Sequence, residues 1–454
     1  MSESILRLIL DAHRARRRGG KSIVQRQQAR FAEMVVFART HSPYYRELYR
    51  RLPDRVDDPA RLPVTSKSAL MERFDDWVTD QSVTRDQVRA FVSNVELVGE
   101  RLMGRYLVAT TSGTTGTRGV FLIDDRSLAV TSAMALRMLR DWLSFRDVLR
   151  IMAGGGRTAM VMATGGHFAS AVAAARLQKG RPGRAVQVLS VHTPIPELVA
   201  QLNRFRPVVV APYASMAALL ASEQEAGRLN IKPALVALSA EGLPLDEYDR
   251  IARTFGTKVG NSYAATECPF LSYGCEHGWL HVNSDWVVLE PVDADHRPVP
   301  PGEPSHTVLV SNLANKVQPI LRYDLGDSVL QRPDPCPCGN PLPAIRVQGR
   351  AADVLTFPST DGHSVTVAPL AFGALAARVS GIQAFQVVQT APANLRVRLR
   401  YAAEADADRV WQVLHAELMR LLTANGATHV RIERAKEPPE QSPGGKFREV
   451  IPLR

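Results

Sequence analysis

The densest chemistry in the sequence lies in TTSGTTGTRG, residues 110–119. Gly113, Gly116 and Gly119 let the backbone take positive φ and come close to a ligand. The hydroxyls of Thr111, Ser112, Thr114 and Thr115, with backbone amides, offer many donors to an anion, and Arg118 adds a fixed positive charge. A polyphosphate fits that chemistry. The plain alternative is a Ser/Gly surface loop. The run is not a Walker loop, because it lacks GxxxxGK[ST] spacing and no helix follows directly.

A second constellation is made of sulfur and imidazole. Cys275-x5-His281 followed by Cys336-x-Cys338 offers three thiolates and one ring nitrogen, a ligand set for a closed structural Zn2+ site. Cys-x-Cys is tighter than the usual Cys-x2–4-Cys, so a reduced, metal-free cluster stays open as the alternative. Cys268 and His277 are substitutes or spectators. In a cytoplasmic protein such clustering points to metal or chance before disulfide.

These residues need elements to hold them. YLVA enters the glycine-rich run and VFLI leaves it, so the run reads as a loop between two strands. Residues 1–60 look helical and basic, broken at Pro43, and Thr65 and Ser66 are N-cap candidates for the next short helix. DDRSLAVTSAMALRMLRDWLSF predicts an amphipathic helix with Leu128, Leu136, Leu139, Trp142 and Leu143 on one side. TAMVMATG, RAVQVLSV, RPVVVAPYA and PALVALSAEG then alternate with helical stretches, the rhythm of parallel βαβ units. Ligands of such sheets sit beyond the carboxyl ends of the strands. That singles out residues 165–167, 213–215, 239–242 and 263–267, with His167 and Tyr213 as pocket residues or core rings.

From Trp279 the texture turns to β, and a boundary falls at GRAADVL. The expected domains are residues 1–349, including a β-rich, cysteine-bearing part over 268–345, and residues 350–454. In the second unit LRVRLRY alternates, with Leu395, Val397, Leu399 and Tyr401 against Arg396, Arg398 and Arg400. DADRVWQVLHAELMRLLTANG predicts a helix burying Val410, Leu414, Leu418 and Leu421 and ending at Gly426. SPGGKFREV places Lys446 on an exposed loop.

A chain of 454 residues with 45% hydrophobic and 22% charged content can bury a large core. No 20-residue apolar span appears, and the N-terminal arginines follow the apolar run, the reverse of a signal peptide. We expect a cytoplasmic protein with neither membrane nor nucleic acid as partner. The net charge of +11 is scattered, with no aromatic-interleaved basic stripe. Whether the chain pairs as a homodimer is not written in it.

TTSGTTGTRG, SYAATE (residues 262–267), RYDLGD (322–327), GRAADV (349–354) and PGGKFRE (443–449) together resemble the ANL superfamily of adenylate-forming enzymes. THSPYYREL early and CPCG late look most like its phenylacetate–CoA ligase branch. The resemblance implies an α/β fold: a large N-terminal domain of mixed and parallel sheets flanked by helices, plus a small mobile α+β C-terminal domain. It also implies two steps. A carboxylate, in this branch that of an aromatic or other small acid, attacks the α-phosphate of ATP, giving an acyl-adenylate; coenzyme A then displaces AMP. Phosphoryl transfer of this kind is mainly positioning and charge neutralisation.

By the same resemblance, Thr111, Ser112, Gly113, Thr114, Thr115, Gly116 and Arg118 match the phosphate loop, with Arg118 where lysine is usual. Glu241 lies in the adenine-side strand end, Tyr263 stacks on adenine, and Thr266 bonds the α-phosphate. Glu267 holds Mg2+, a hard cation suited to a carboxylate and phosphate oxygens. Asp327 and Arg350 take the ribose, and Lys446 bridges the attacking carboxylate and the α-phosphate. The hinge position is Ala352, where aspartate or lysine is usual, and TFPSTDGHSVTVAP replaces a glycine-rich segment that helps hold the acceptor. A carrier-protein thiol, an amine or another nucleophile therefore competes with coenzyme A. A nucleotide-binding homologue without catalysis is the alternative of another class.

Overall fold

The computed structural model describes residues 4–111, 119–164, 166–179, 185–191, 193–240, 242–243, 245–350, 353–358, 364–367, 369–376, 379–440 and 447–453. Its backbone is a nine-stranded sheet whose two halves differ in direction. The strands Val186–Ser190, Thr158–Met162, Val209–Pro212, Leu235–Leu238 and Lys258–Tyr263 run parallel, in that spatial order. They are the four predicted apolar runs plus the strand that ends at Tyr263. Each of the first four is followed by a helix, and such crossovers are what parallel pairing requires. Val161, Leu198, Leu202, Val210, Leu220, Val236 and Ile251 fill the space between these helices and the sheet.

Beyond Tyr263 the sheet turns antiparallel through Ser272–Gly274, Leu280–Val282, Ala344–Arg350 and Asp327–Gln331. Two antiparallel three-stranded sheets flank it. One contains Tyr106–Thr110 and Val120–Ile123, paired from Leu107↔Ile123 to Thr110↔Val120, so the glycine-rich run does join neighbouring strands. The other is Val287–Val292, Thr307–Asn312 and Ile320–Asp324.

The N-terminal helices Ile5–Arg18 and Gly20–His41 end before Pro43, where Ser42 caps the next helix by accepting from the Tyr45 amide. Ser66 caps Lys67–Glu72, whereas Thr65 is buried and donates to the Leu321 carbonyl.

Two expected helix faces are corrected. In Asp125–Trp142 the buried residues are Ser127, Ala129, Val130, Ala133, Met134 and the expected Trp142, with Leu139 and Leu143 partly buried beside it, while Leu136 is 48% exposed. The small residues allow close approach, and Arg137 shares their side because buried Asp285 takes its guanidinium at 2.6 and 2.8 Å. Burial opposes the Arg137 charge and Asp285 more than restores it, so its pKa is raised. In Ala407–Ala424 the fourth buried residue is Leu422 rather than Leu421, which is half-buried; four-residue steps from Val410 continue to 422.

Residues 355–450 carry a core of their own, built from Phe357, Phe372, Val387, Val397, Leu414 and Leu418 among others. Its sheet orders Arg431–Arg434, Asn394–Tyr401, Ile382–Ala391 and Val450–Ile451, and the predicted alternation of Asn394–Tyr401 buries Leu395, Val397 and Leu399. Among the described residues no helix is long and apolar enough to cross a membrane.

Candidate functional site

The strand Lys258–Tyr263 delivers the SYAATE residues. After Tyr263 the chain makes a tight turn closed by reciprocal backbone bonds between Ala265 and Cys268, at 3.1 and 3.2 Å. Thr266 and Glu267 occupy the turn. Glu267 is only 7% exposed; its carboxylate accepts from the Tyr323 hydroxyl at 2.8 Å, and its carbonyl accepts from Asn312 Nδ2 at 2.9 Å. Burial, and the Glu267 carboxylate beside it, push the Tyr323 phenol well up, so it stays a neutral donor. Tyr323 belongs to RYDLGD, yet sequence reasoning took only Asp327 from that motif.

Asp327 begins the strand Asp327–Gln331 and is the register partner of Arg350 on Ala344–Arg350. The ladder is bulged between Ser328 and Val329, where Gly349 takes φ +121°. Bulges re-aim neighbouring residues, and this one sits immediately before Arg350. The glycine of GRAADV thus has a backbone reason for its identity. Tyr263 donates to Asp327 Oδ2 at 2.6 Å. SYAATE is in this way tied to RYDLGD at two points, Tyr263 to Asp327 and Glu267 to Tyr323.

The glycine-rich run is described only at its base. Thr111 N donates to the Gly119 carbonyl at 2.9 Å, and Gly119 N donates to Thr111 Oγ1 at 2.8 Å. A Cβ on Gly119 would stand 2.6 Å from the Phe121 ring, which excludes other residues there. Ser112, Gly113, Thr114, Thr115, Gly116 and Arg118 lie outside the described residues, as do Glu241, Ala352 and Lys446. Before Glu241, Ala240 holds φ +71°, an uncommon conformation for a residue with a Cβ.

His167 and Tyr213 are both buried. The His167 carbonyl accepts from the Thr110 amide at 2.6 Å, and its Nε2 donates to the Asn94 carbonyl at 2.9 Å, leaving Nδ1 buried and unpartnered. Tyr213 packs in the parallel-sheet core, with its hydroxyl 3.3 Å from Ser170 Oγ.

Around the end of the chain, Gln386 brackets the segment that holds Lys446. This side chain, 1% exposed, donates to the carbonyls of Glu440 and Arg448 at 3.0 and 2.9 Å and accepts from the Glu440 amide at 3.2 Å. Arg448 pairs with Asp353, just past the expected hinge. No sequence signal marked Gln386.

The four sulfur and imidazole groups meet. The ligand atoms of Cys275, His281, Cys336 and Cys338 lie within 4.8 Å of one another and could hold a metal. Cys268 is buried in the main core, and His277 points to Glu276 at the surface.

This architecture is similar to that of solved CoA ligases. One 2-hydroxyisobutyryl-CoA ligase structure, in the postadenylation state with 2-HIB-AMP, matches with a TM-score of 0.68 and 22% identity over 96% of this chain and 90% of that one. The same enzyme with 2-HIB-AMP and CoA in the thioesterification state matches at 0.53 with 22% identity, over 95% and 89%. A benzoate CoA ligase from Burkholderia xenovorans LB400 and the amide bond synthetase McbA from Marinactinospora thermotolerans each match at 0.50, with 16% and 15% identity, over 75% of this chain and 66% of theirs. No protein-family model matches the sequence, and no curated protein does.

Proposed function

We propose that this chain is a carboxylate–CoA ligase of the adenylate-forming, ANL type. It activates a small carboxylic acid, aromatic or related, with ATP and Mg2+, and passes the acyl group to coenzyme A. The observation that carries this is the double tie of SYAATE to RYDLGD, Tyr263 on Asp327 and Glu267 on Tyr323, with Arg350 in register opposite Asp327, in a fold shared with a ligase holding an acyl-AMP.

The residues divide the work by chemistry. Tyr263 offers its ring to adenine, and Asp327 and Arg350 hold the ribose. Thr266, Ser112, Thr114, Thr115 and Arg118 receive the phosphates. A buried carboxylate such as Glu267, steadied by the neutral Tyr323 donor, fits a hard cation that also binds phosphate oxygens. Mg2+ there would offset phosphate charge as the substrate carboxylate approaches. Lys446 places a positive charge where negative charge builds on the α-phosphate. In the second step the coenzyme A thiol attacks the acyl carbon, and AMP leaves.

We further infer that residues 1–349 form the nucleotide-binding unit and 350–454 a lid that changes place between the half-reactions. The higher similarity to the postadenylation form, 0.68 against 0.53, supports a lid standing as it does after adenylation.

A second acceptor class keeps its place because the amide bond synthetase matches as well as the benzoate ligase, both at 0.50. A panel of carboxylic acids scored by pyrophosphate release, with and without coenzyme A, tests the proposal. Acid-dependent release with a thioester product is expected. Release with no thioester, but with product on added amines or carrier protein, would move the assignment to the second class. No release with any acid would leave a nucleotide binder.

A further inference from the structure

The two β-hairpins nearest the nucleotide residues meet at their tips. One hairpin is Ser272–Gly274 and Leu280–Val282, with Cys275 in its turn and His281 on its return strand. The other is Asp327–Gln331 and Ala344–Arg350, with Cys336 and Cys338 in its connection. They lie side by side through Leu280↔Ile345 and His281↔Ala344.

The four ligand atoms lie within 4.8 Å of one another, and two of their separations are close to the edges of a coordination shell. Metal–sulfur bonds of about 2.3 Å and metal–nitrogen bonds of about 2.0 Å give a tetrahedron with S···S edges of about 3.8 Å and S···N edges of about 3.5 Å. Cys275 and Cys336 sulfurs are 3.7 Å apart, and Cys338 Sγ is 3.2 Å from His281 Nε2. The His281 Nδ1 lies 3.0 Å from the Leu342 carbonyl, which can only accept. That bond places the proton on Nδ1 and leaves the Nε2 lone pair facing the sulfurs, the usual support for a metal-bound histidine. Gly339, at φ +74° with its amide on the Cys336 carbonyl, supplies the turn that lets Cys-x-Cys present both thiolates.

We infer that Cys275, His281, Cys336 and Cys338 bind one zinc ion that locks the tips of both hairpins and thereby sets the register of the far ends, where Tyr263 and Asp327 meet. The coupling half rests on the nucleotide reading given above. Its physical basis is register: Tyr263 is paired with Ser272, Asp327 with Arg350, and two of the strands between them are three residues long. Strands of three residues have few ladder bonds to resist a slip, so a clasp at the tips has leverage on the opposite end.

Metal analysis of untagged full-length protein should find one zinc per chain; a content near zero overturns the site. Cobalt substituted for zinc should show thiolate charge-transfer and tetrahedral d–d bands. Cys338→Ser should weaken the charge-transfer band, while exposed His277→Ala leaves it intact. Unchanged bands in Cys338→Ser would remove that residue from the shell. For the coupling, AMP affinity is measured by calorimetry without Mg2+ on the zinc-loaded protein, the chelator-stripped protein and the stripped protein given one equivalent of zinc. Stripping should weaken AMP binding about tenfold, and zinc should restore it. Equal affinities in all three overturn the coupling. Zinc-loaded protein that fails to bind AMP at all refutes the nucleotide reading and the coupling with it, while the metal count and the cobalt spectrum judge the zinc site alone.

Discussion

The base of the glycine-rich run and the base of the lysine segment are held by opposite strategies. Thr111 and Gly119 close the first by bonding each other, and both belong to the motif and directly adjoin one strand pair. Glu440 and Arg448 are held by distant residues, both by Gln386 on a strand more than fifty residues earlier, Glu440 also by Arg398 and Arg448 by Asp353. A segment that only cradles a nucleotide can carry its own clasp. Under the proposed function, a segment that brings a charge to the reacting atoms is tied through Gln386 and Asp353 to residues far along the chain, so that their position and that of the lysine become one variable.

The strongest way to break this contrast is at the lysine itself. Lys446→Ala should slow acid-dependent pyrophosphate release by about 10²–10³-fold, the range for removing one group that stabilises developing charge. Thioester formation from a supplied acyl-adenylate should change little. Equal loss in both half-reactions would show that the segment serves binding, as the glycine-rich run does, and the contrast would collapse.

Gln386→Ala comes next. It strips two carbonyls and one amide of their buried partner, at about 1–3 kcal/mol for each group left unsatisfied. Thermal unfolding should fall by several degrees, and adenylation should slow with the KM for ATP nearly constant. The discriminating variant is Gln386→Glu, which keeps the acceptor for the Glu440 amide but loses both donations. A rise in KM for ATP with an unaltered rate in either variant would contradict a role at the lysine segment.

Much of this was legible in the sequence, and what was missed has a common cause. The four parallel strands, the Thr110–Val120 junction and the sulfur–imidazole cluster depend on local periodicity or on rare residue types, which a linear reading detects. Tyr323, Gln386 and the Arg137–Asp285 pair were invisible because each acts by meeting a partner far along the chain. A buried Arg137 also explains the misjudged helix face: a hydrophobicity pattern assigns a guanidinium to solvent, and only the distant Asp285 makes its burial tolerable. The side chains that touch ATP phosphates in the proposed reaction came from motif resemblance, and Ser112–Arg118 and Lys446 were not among the described residues.

Asp353→Asn sharpens the comparison on the hinge side. The Arg448–Asp353 pair keeps some contact with solvent, at 21% and 15% side-chain exposure, so about 1 kcal/mol is the expected scale. If it holds the lysine segment in the adenylating arrangement only, the variant slows pyrophosphate release a few-fold and spares, or slightly speeds, the thioester step. A pair that merely stabilises the small domain would instead lower the unfolding temperature with both steps unchanged.

The smallest effect belongs to the self-clasped base. Thr111→Val keeps shape and β-branching but removes the oxygen that accepts the Gly119 amide, one hydrogen bond of about 1 kcal/mol. The backbone bond from the Thr111 amide to the Gly119 carbonyl survives, so the strands stay paired. If the run binds the ATP phosphates as proposed, the expected result is a rise of a few-fold in the KM for ATP, since a looser base costs binding, with the maximal adenylation rate nearly kept. Thr111→Ser, which retains the hydroxyl, should restore most of the affinity. If Thr111→Val lowered the maximal rate as deeply as Gln386→Ala, the division between a run that binds and a segment that reacts would have to be given up, because both bases would then be setting the geometry of the transition state.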